Sequence, residues 1–330
     1  MMSGDASAAK KLTSVFPSNM MLLQIVPSQI AYDGCKQQRV LSTDLAMQMH
    51  RNMRQRFCAA AATYDAAAVL ARETGKRMAE RLDYVRISPT CIADIGCATG
   101  EGIRELQRRY PNALPLAIDS ALPMLHATRA GTPWLKRILR GNVHLLNADV
   151  RNLPLANGCL GLIWSNLMLH WLDDPLPALH ELQRTLDIGG LLMFATLGPD
   201  TLKEIRSACR DAGIDDKDIP IRHFHDMHDL GDMLLAAGFA DPVMDMEMMK
   251  LTYASARGLI RDQRHLGVRD ALFGSLPWRE WRRVFKVYEK QRIEYRLPVS
   301  FEIVYGHAWK PLPRTAGDGR AIIHFEPRKK

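Results

Sequence analysis

Residues 94–100 read Asp-Ile-Gly-Cys-Ala-Thr-Gly and follow a short apolar run, and this turn constrains the fold more than any other segment. Glycines at its third and seventh positions let the backbone approach a ligand where a Cβ atom would collide. A second apolar run ends in Asp119, whose carboxylate can accept hydrogen bonds from both hydroxyls of a ribose. The chain contains neither G-x-G-x-x-G nor G-x-x-x-x-G-K-[ST]. The pattern therefore favours a nucleoside ligand without phosphates, such as S-adenosylmethionine.

Apolar strand-like runs alternate with helix-like segments through the middle of the chain. The predicted strands are 91–96, 114–119, 143–148, 160–165, 190–197, 242–250 and 298–309. The predicted helices between them are 101–110, 120–130, 174–187, 199–212 and 229–237. This alternation predicts an α/β fold of the Rossmann-like type, with a mostly parallel seven-stranded sheet and helices on both faces.

The sequence divides into a folded domain with an extension at each end. The first 50 residues have no sustained periodicity and are predicted to form a poorly ordered N-terminal extension, and residues 313–330 a polar C-terminal tail. The domain between them, residues 51–312, begins with helices at 51–90. A basic helical block, residues 252–296, is inserted before the last strand, and we expect it to cover the carboxyl ends of the strands as a lid.

Composition limits the classes of function without choosing one. A hydrophobic content of 47% indicates a globular protein, and a net charge of +8 favours anionic partners such as nucleic acid, acidic proteins or anionic lipid. Six cysteines without a C-x-x-C pair predict buried thiols in a reducing compartment, the cytoplasm. The apolar stretch 20–26 is too short to span a membrane.

The ends of the predicted strands supply the candidate ligand contacts. Asp149 and Val150 follow the third strand and would lie beside an adenine, although Asp149 could also serve as a turn or helix-capping acid. Asn166 ends the fourth strand near the methionine end of the ligand, and His170 beyond it either faces the substrate or belongs to a buried helix start. The full predicted set is Asp94, Gly96, Cys97, Ala98, Gly100, Asp119, Ser120, Asp149, Val150 and Asn166.

Two further segments have competing interpretations. Histidines at 223, 225 and 228 lie in a polar loop without a neighbouring cysteine, so a solvated loop is favoured and no metal site is predicted. The basic runs 261–267 and 279–286 are either a solvated helix face or a docking face for a polyanion.

The turn at 94–100 resembles motif I of class I S-adenosylmethionine-dependent methyltransferases. Four later runs are similar to the malonyl-[acyl-carrier protein] O-methyltransferase family of biotin synthesis, over about residues 52–312: 164–175, 194–202, 228–239 and 301–309. Ala98 departs from this pattern, because glycine is usual there. A methyltransferase-like assembly factor of respiratory complex I shares the Leu-His-Trp style of motif and is the alternative family.

The resemblance implies methyl transfer from S-adenosylmethionine to the free carboxylate of malonyl-acyl carrier protein. That carboxylate, with a pKa near ~4, is already ionised at pH 7, so no general base is required. Hydrogen-bond donors must hold it, and Tyr64, His170 and Arg264 are the candidates. The acidic carrier protein is expected to dock on the basic lid face at 261–292. Nucleic acid is not expected as a partner, since the [DNS]-P-P-[YFW] motif of amino-methylating enzymes is absent after the fourth strand. A membrane is not expected either, because no apolar run is long enough to span one.

Overall fold

The computed structural model describes residues 51–131 and 142–313, whose centre is a seven-stranded sheet in the order β3-β2-β1-β4-β5-β7-β6. The strands are β1 Cys91–Ile95, β2 Leu114–Asp119, β3 His144–Asn147, β4 Leu160–Asn166, β5 Leu186–Leu197, β6 Ala240–Tyr253 and β7 Leu297–Trp309. β1 to β5 are parallel, and β7 lies antiparallel between β5 and β6. The predicted Rossmann-like, mostly parallel sheet is thereby confirmed.

Helices cover both faces of this sheet. They are residues 51–60 (α1), α2 Tyr64–Ala67, α3 Val69–Leu82, α4 Glu101–Arg109, α5 Leu122–Ala130, α6 Leu176–Thr185, α7 Lys203–Asp211, α8 Met227–Ala236, α9 Ala256–His265, α10 Arg269–Leu272 and α11 Trp278–Tyr288. Ile92 of β1 packs in an apolar cluster with Met78 of α3, whereas Ile95 packs in a second cluster with Leu179 of α6. Burial on both faces explains why the strand sequences are continuously apolar instead of alternating.

The junction of α6 and β5 differs from the sequence prediction, which continued the helix to residue 187 and began the strand at 190. α6 ends at Thr185, and β5 begins at Leu186. Leu186 is fully buried and pairs with Leu160 of β4, and its carbonyl accepts a hydrogen bond from Lys310 Nζ at 2.7 Å. A contact from the far end of the domain fixes this boundary, so the local sequence could not predict it.

The helices inserted between β6 and β7 contact the N-terminal helices directly. Thr63 Oγ1, just before α2, donates a hydrogen bond to the carbonyl of His265 at 2.9 Å. Gly267 has a φ of 78°, and a Cβ atom there would lie 2.9 Å from the carbonyl oxygen of Arg56. The segments 51–90 and 252–296 therefore pack on each other.

The predictions for residues 1–50 and for the tail beyond residue 313 lie outside the described residues. Within residues 51–131 and 142–313, no helix combines the length and the apolar character needed to cross a membrane.

Candidate functional site

The turn at 94–100 folds tightly at the carboxyl end of β1. Gly96, Ala98 and Gly100 all have positive φ angles, of 75°, 45° and 83°. A Cβ atom at Gly100 would lie 2.4 Å from Thr128 Cγ2, because α5 packs directly on the turn. The left-handed conformation costs an alanine roughly 1–2 kcal/mol. Two hydrogen bonds offset this cost: Ala98 N donates to Asp119 Oδ2 at 3.0 Å, and Thr128 Oγ1 donates to the Ala98 carbonyl at 2.9 Å.

Asp119 lies at the end of β2, one strand away from the turn. Its carboxylate accepts the Ala98 amide and, through Oδ1, the Ala121 amide at 2.8 Å. Burial raises its pKa, and these amides oppose the rise because they favour the charged form. The Ser120 amide opposes the rise as well. A carboxylate has about four lone-pair sites, and those that the amides leave can accept from ligand hydroxyls.

A central cavity of about 480 Å³ runs along this edge of the sheet and under α9. Seven residues of the predicted ligand set line it: Gly96, Ala98, Asp119, Ser120, Asp149, Val150 and Asn166. Asp94 and Cys97 instead line a neighbouring helix cavity of about 600 Å³ between α3 and α4, and Gly100 shapes the turn. The two cavities share Tyr64, Gly96, Ala98 and Asn166, so they meet at the turn.

The helix cavity contains buried polar groups that lack partners among the described residues. Trp164 Nε1 and Asn166 Oδ1 are both buried without a hydrogen bond, while Asn166 Nδ2 donates to the Ala71 carbonyl at 2.8 Å. Asp94 lies beside them, and burial raises its pKa to about 7 against an opposing hydrogen bond from the Ile103 amide. One unused donor and one unused acceptor in the helix cavity are suited to a polar ligand, since leaving them unpaired is costly.

Asp149 is exposed at the far end of the central cavity. Its Oδ1 accepts hydrogen bonds from Arg151 N and Arg151 Nε, and its Oδ2 pairs with Arg151 Nη2 at 2.6 Å. The residue therefore acts as a turn acid, the alternative that the sequence left open, while it also lines the cavity beside the buried Val150. Both roles are compatible in this geometry.

His170 lies in the wall between the central cavity and a third, loop cavity of about 340 Å³. Its Nδ1 lies 3.3 Å from Thr196 Oγ1 and accepts a hydrogen bond from Leu197 N at 3.4 Å. Burial lowers its pKa well below the usual value, and the nearby Arg222 guanidinium lowers it further. The ring is therefore neutral at pH 7, with its proton on Nε2.

Tyr64 begins α2 and lines both the central and the helix cavity. A hydrogen bond of 2.6 Å from Thr99 Oγ1 to Asp65 Oδ1 ties α2 to the turn at 94–100. Burial, and then the charge of Asp119, raise the pKa of the Tyr64 phenol, which therefore stays protonated and can donate a hydrogen bond.

The structure does not bring Arg264 to the cavity, and this expectation needs correction. Its side chain is exposed on the outer face of α9, because the inner face is formed by Ala256, Leu259 and Gln263. Gln263 is 4% exposed and lines the central cavity. Helical spacing at 256, 259 and 263 was the signal that could have found it.

Three arginines near the site were not predicted from the sequence. Arg51 and Arg54 of α1 are exposed and line the mouth of the central cavity. Arg222 donates from Nε to the His170 carbonyl at 3.0 Å and pairs with Asp173 at 2.8 Å, so it holds the loop that carries the histidine. Among the described residues, no cluster of three or more His, Cys, Asp or Glu side chains could hold a metal ion.

Comparison with known proteins adds relatives of defined activity. The chain is 45% identical over 276 residues to a malonyl-[acyl-carrier protein] O-methyltransferase from Gallionella capsiferriformans, covering 82% of this chain and 94% of the relative. It is 46% identical over 285 residues to a protein of the same name from Laribacter hongkongensis, covering 83% and 95%. Residues 93–194 match the family described as a methyltransferase domain. The YcgJ protein of Bacillus subtilis has the same fold, with a TM-score of 0.52 and 12% identity over 73% of this chain and 100% of that chain.

Proposed function

Because this chain belongs to the family of malonyl-[acyl-carrier protein] O-methyltransferases, we propose that it methylates the free carboxylate of a malonyl group carried by acyl-carrier protein. The product is a methyl ester, in which one negative charge is masked for biotin synthesis. One observation carries the proposal: the central cavity is continuous from Asp119 at one end to His170 and the lid at the other. A nucleoside and a carboxylic acid can therefore meet inside it.

The polar groups along the sheet edge fit S-adenosylmethionine. Asp119 would hold the ribose hydroxyls, and Asp149 and Val150 would flank the adenine. In the helix cavity, Trp164 Nε1 can donate to the carboxylate of the amino acid end and Asn166 Oδ1 can accept from its ammonium group. When bound there, S-adenosylmethionine supplies a methyl group on a positively charged sulfur.

The chain's own task is to position the acceptor, since a malonyl carboxylate with a pKa near ~4 is ionised at pH 7 and requires no base. Tyr64 is a protonated phenol, and His170 is a neutral imidazole. Both can donate a hydrogen bond to one carboxylate oxygen and leave the other free to react. Correct alignment of this kind can contribute on the order of 7–11 kcal/mol to catalysis.

The packed helices of residues 51–90 and 252–296 would act as the lid of this site. They enclose the central cavity through Phe57, Leu266, Val268 and Leu272. Excluding water from the carboxylate raises its reactivity toward a cationic methyl donor.

The carrier protein would dock on α11, within the basic face 261–292. Arg279, Arg282, Arg283 and Lys286 are exposed on this helix, and the structure gives them no ion pair within the described residues. An acidic partner would be steered to such a surface over roughly a Debye length, about 8 Å at physiological salt.

The cysteines suggest the compartment. Among the described residues, Cys58, Cys97, Cys159 and Cys209 are free cysteines. This usage is typical of a reducing compartment, and we place the protein in the cytoplasm as part of the same proposal.

The function is tested by following S-adenosylhomocysteine release with two carrier substrates. Malonyl-carrier protein should support turnover, whereas acetyl-carrier protein, which is identical except that it has no free carboxylate, should not. Equal release with both substrates, or release with neither, would contradict the proposal.

A further inference from the structure

The lid helix α9 directs one polar side chain toward the central cavity. Ala256, Leu259 and Gln263 form its buried face, with exposures of 6%, 0% and 4%. Arg261 and Arg264, on the other side of the helix, are exposed. An amide on a buried helix face costs free energy unless its hydrogen bonds are made, so this glutamine calls for a partner.

Tyr253, the last residue of β6, interacts with this amide. Burial, and then the charge of Asp262, raise the pKa of the Tyr253 phenol to about 12, and Gln263 opposes the rise. Tyr253 therefore stays protonated near neutral pH. The Gln263 amide carries N–H donors and lines the central cavity, where a ligand can accept from them.

The docking of the lid fixes Gln263 relative to Tyr64. The residue two positions after Gln263, His265, accepts the hydrogen bond from Thr63 Oγ1, which directly precedes Tyr64. Gly267 then lies against the Arg56 carbonyl and the Ala60 side chain. Gln263 and Tyr64, two neutral hydrogen-bond donors on either side of this contact, consequently line the same central cavity.

Methyl transfer to a carboxylate favours neutral donors for a physical reason. The carboxylate oxygen forms a bond to the methyl carbon, the carbon–sulfur bond breaks, and its electron pair stays on sulfur. A negative and a positive charge disappear together, and no proton moves. A fixed cation at the carboxylate would stabilise the charged ground state more than the transition state and would slow the step. Of the three arginines that line this cavity, Arg51 and Arg54 are exposed at its mouth, and the charge of Arg151 is paired with Asp149.

We propose that the side-chain amide of Gln263 holds one oxygen of the acceptor carboxylate, together with the phenol of Tyr64. Asn166 is assigned instead to the methyl donor, because it also lines the helix cavity, where its Oδ1 is buried without a partner among the described residues. This inference rests on the proposed function, since it assigns a donor for that reaction's substrate.

The test uses malonyl-N-acetylcysteamine, a small thioester with one free carboxylate, and two variants of the full chain. Gln263→Leu removes the donor at similar size, and we expect its calorimetric affinity for the thioester, with S-adenosylhomocysteine present, to fall at least about tenfold, the value of one hydrogen bond to a charged group. Affinity for S-adenosylhomocysteine alone should not change. Gln291→Leu is the matched control, because Gln291 lies on the same inserted segment but donates to the Glu204 carbonyl away from the cavity.

Gln263→Glu is nearly isosteric and keeps the inference testable if the leucine variant does not fold. The introduced glutamate would lie beside the substrate carboxylate and must take up a proton before the substrate binds. The kcat/KM of the variant, divided by that of the wild type, should therefore rise as pH falls from about 8 to about 5.5. Unchanged thioester affinity in a folded Gln263→Leu protein, or a Gln263→Glu profile parallel to the wild type, would overturn the assignment. Failure of the wild-type chain to methylate malonyl-carrier protein would refute the proposed function instead.

Discussion

Asp119 has two roles, in stabilising the turn and in facing the ligand site, and its position in the sequence alone did not distinguish them. It accepts the amides of Ala98 and Ala121, and so holds an alanine in a left-handed conformation, while it also faces the central cavity. The turn tolerates alanine where glycine is usual because this carboxylate and Thr128 bind both polar groups of its backbone. Ligand binding and turn geometry are therefore coupled at one side chain.

Replacing Asp119 by alanine should weaken S-adenosylhomocysteine binding by about tenfold or more, because a hydrogen bond to a charged group is worth roughly 1.5–3 kcal/mol. Titration calorimetry measures this. Asp149→Ala is the comparison, and a smaller loss is expected because the Asp149 carboxylate is exposed and already bound by Arg151. Equal affinities of the Asp119→Ala and wild-type proteins would remove Asp119 from the ligand site.

At the scale of residues, the sequence predicted which side chains lie together where their positions follow from the order and ends of the strands. Gly96, Asp119 and Asn166 end adjacent parallel strands, so strand assignment alone was enough to bring them to one edge. On the lid the sequence was less informative, because the candidate donor Arg264 is exposed, whereas Gln263, which was not predicted, lines the cavity. The position of a residue around a helix, one step from its neighbour, decides which side chain is buried.

At the scale of elements, the contact between the inserted helices and the N-terminal helices closes the site. Gly267 and Gly213 both have a φ of 78°, but only Gly267 has atoms of another element against its Cα, and a Cβ at Gly213 would meet nothing within 4 Å. Comparing alanine substitutions at these two glycines therefore separates the effect of backbone strain from the effect of losing the lid contact.

Gly267→Ala should lower stability and kcat/KM for the malonyl substrate more than Gly213→Ala does. Both changes cost the left-handed strain of roughly 1–2 kcal/mol, and the first also forces α9 away from α1. Thermal unfolding and steady-state kinetics check this. Identical losses in the two variants would indicate that the contact has no role in the site.

A second prediction at the scale of elements concerns the exposed cations of α11, which are proposed to attract the carrier protein. A double variant, Arg282→Glu with Arg283→Glu, should raise KM for malonyl-carrier protein severalfold at low salt and abolish the salt dependence, while KM for malonyl-N-acetylcysteamine stays constant. Lys217→Glu with Lys250→Glu makes the same charge change at exposed positions on other elements. If that control pair raises KM equally, net charge and not the α11 surface attracts the carrier.

Most strands were predictable, because β1, β2 and β4 are continuous apolar runs bounded by turn residues. The start of β5 was not, since Leu186 is drawn into the sheet by Leu160 and Lys310. The insertion was located correctly, but its contact with α1 and α2 depends on residues about 200 positions away in sequence.

At the scale of the whole molecule, one buried acid links the site to global stability. Asp94 has a pKa of about 7 in the folded protein against an ordinary value of 3.8. Between these values the folded protein keeps a proton that the unfolded chain has lost. Stability contributed by this proton is therefore present at low pH and is lost as pH rises through the window.

Asp94→Asn should remove this dependence. The free energy of unfolding of the wild type, relative to the variant, should decrease from about pH 4 to about pH 7 by on the order of 1–4 kcal/mol. Urea unfolding of both proteins across this range measures the difference, in which other titrating groups cancel. A difference that does not vary with pH would mean that Asp94 is ionised throughout.

The most direct test of the account is to locate the transferred methyl group by tandem mass spectrometry of malonyl-carrier protein after incubation with the enzyme and S-adenosylmethionine. We predict a gain of one CH2 on the acyl fragment, present as an ester that mild alkali removes as methanol. A methyl group on a carrier-protein side chain or on the central carbon of the malonyl group, or no gain of mass, would contradict the claim that this cavity joins a methyl donor to a free carboxylate.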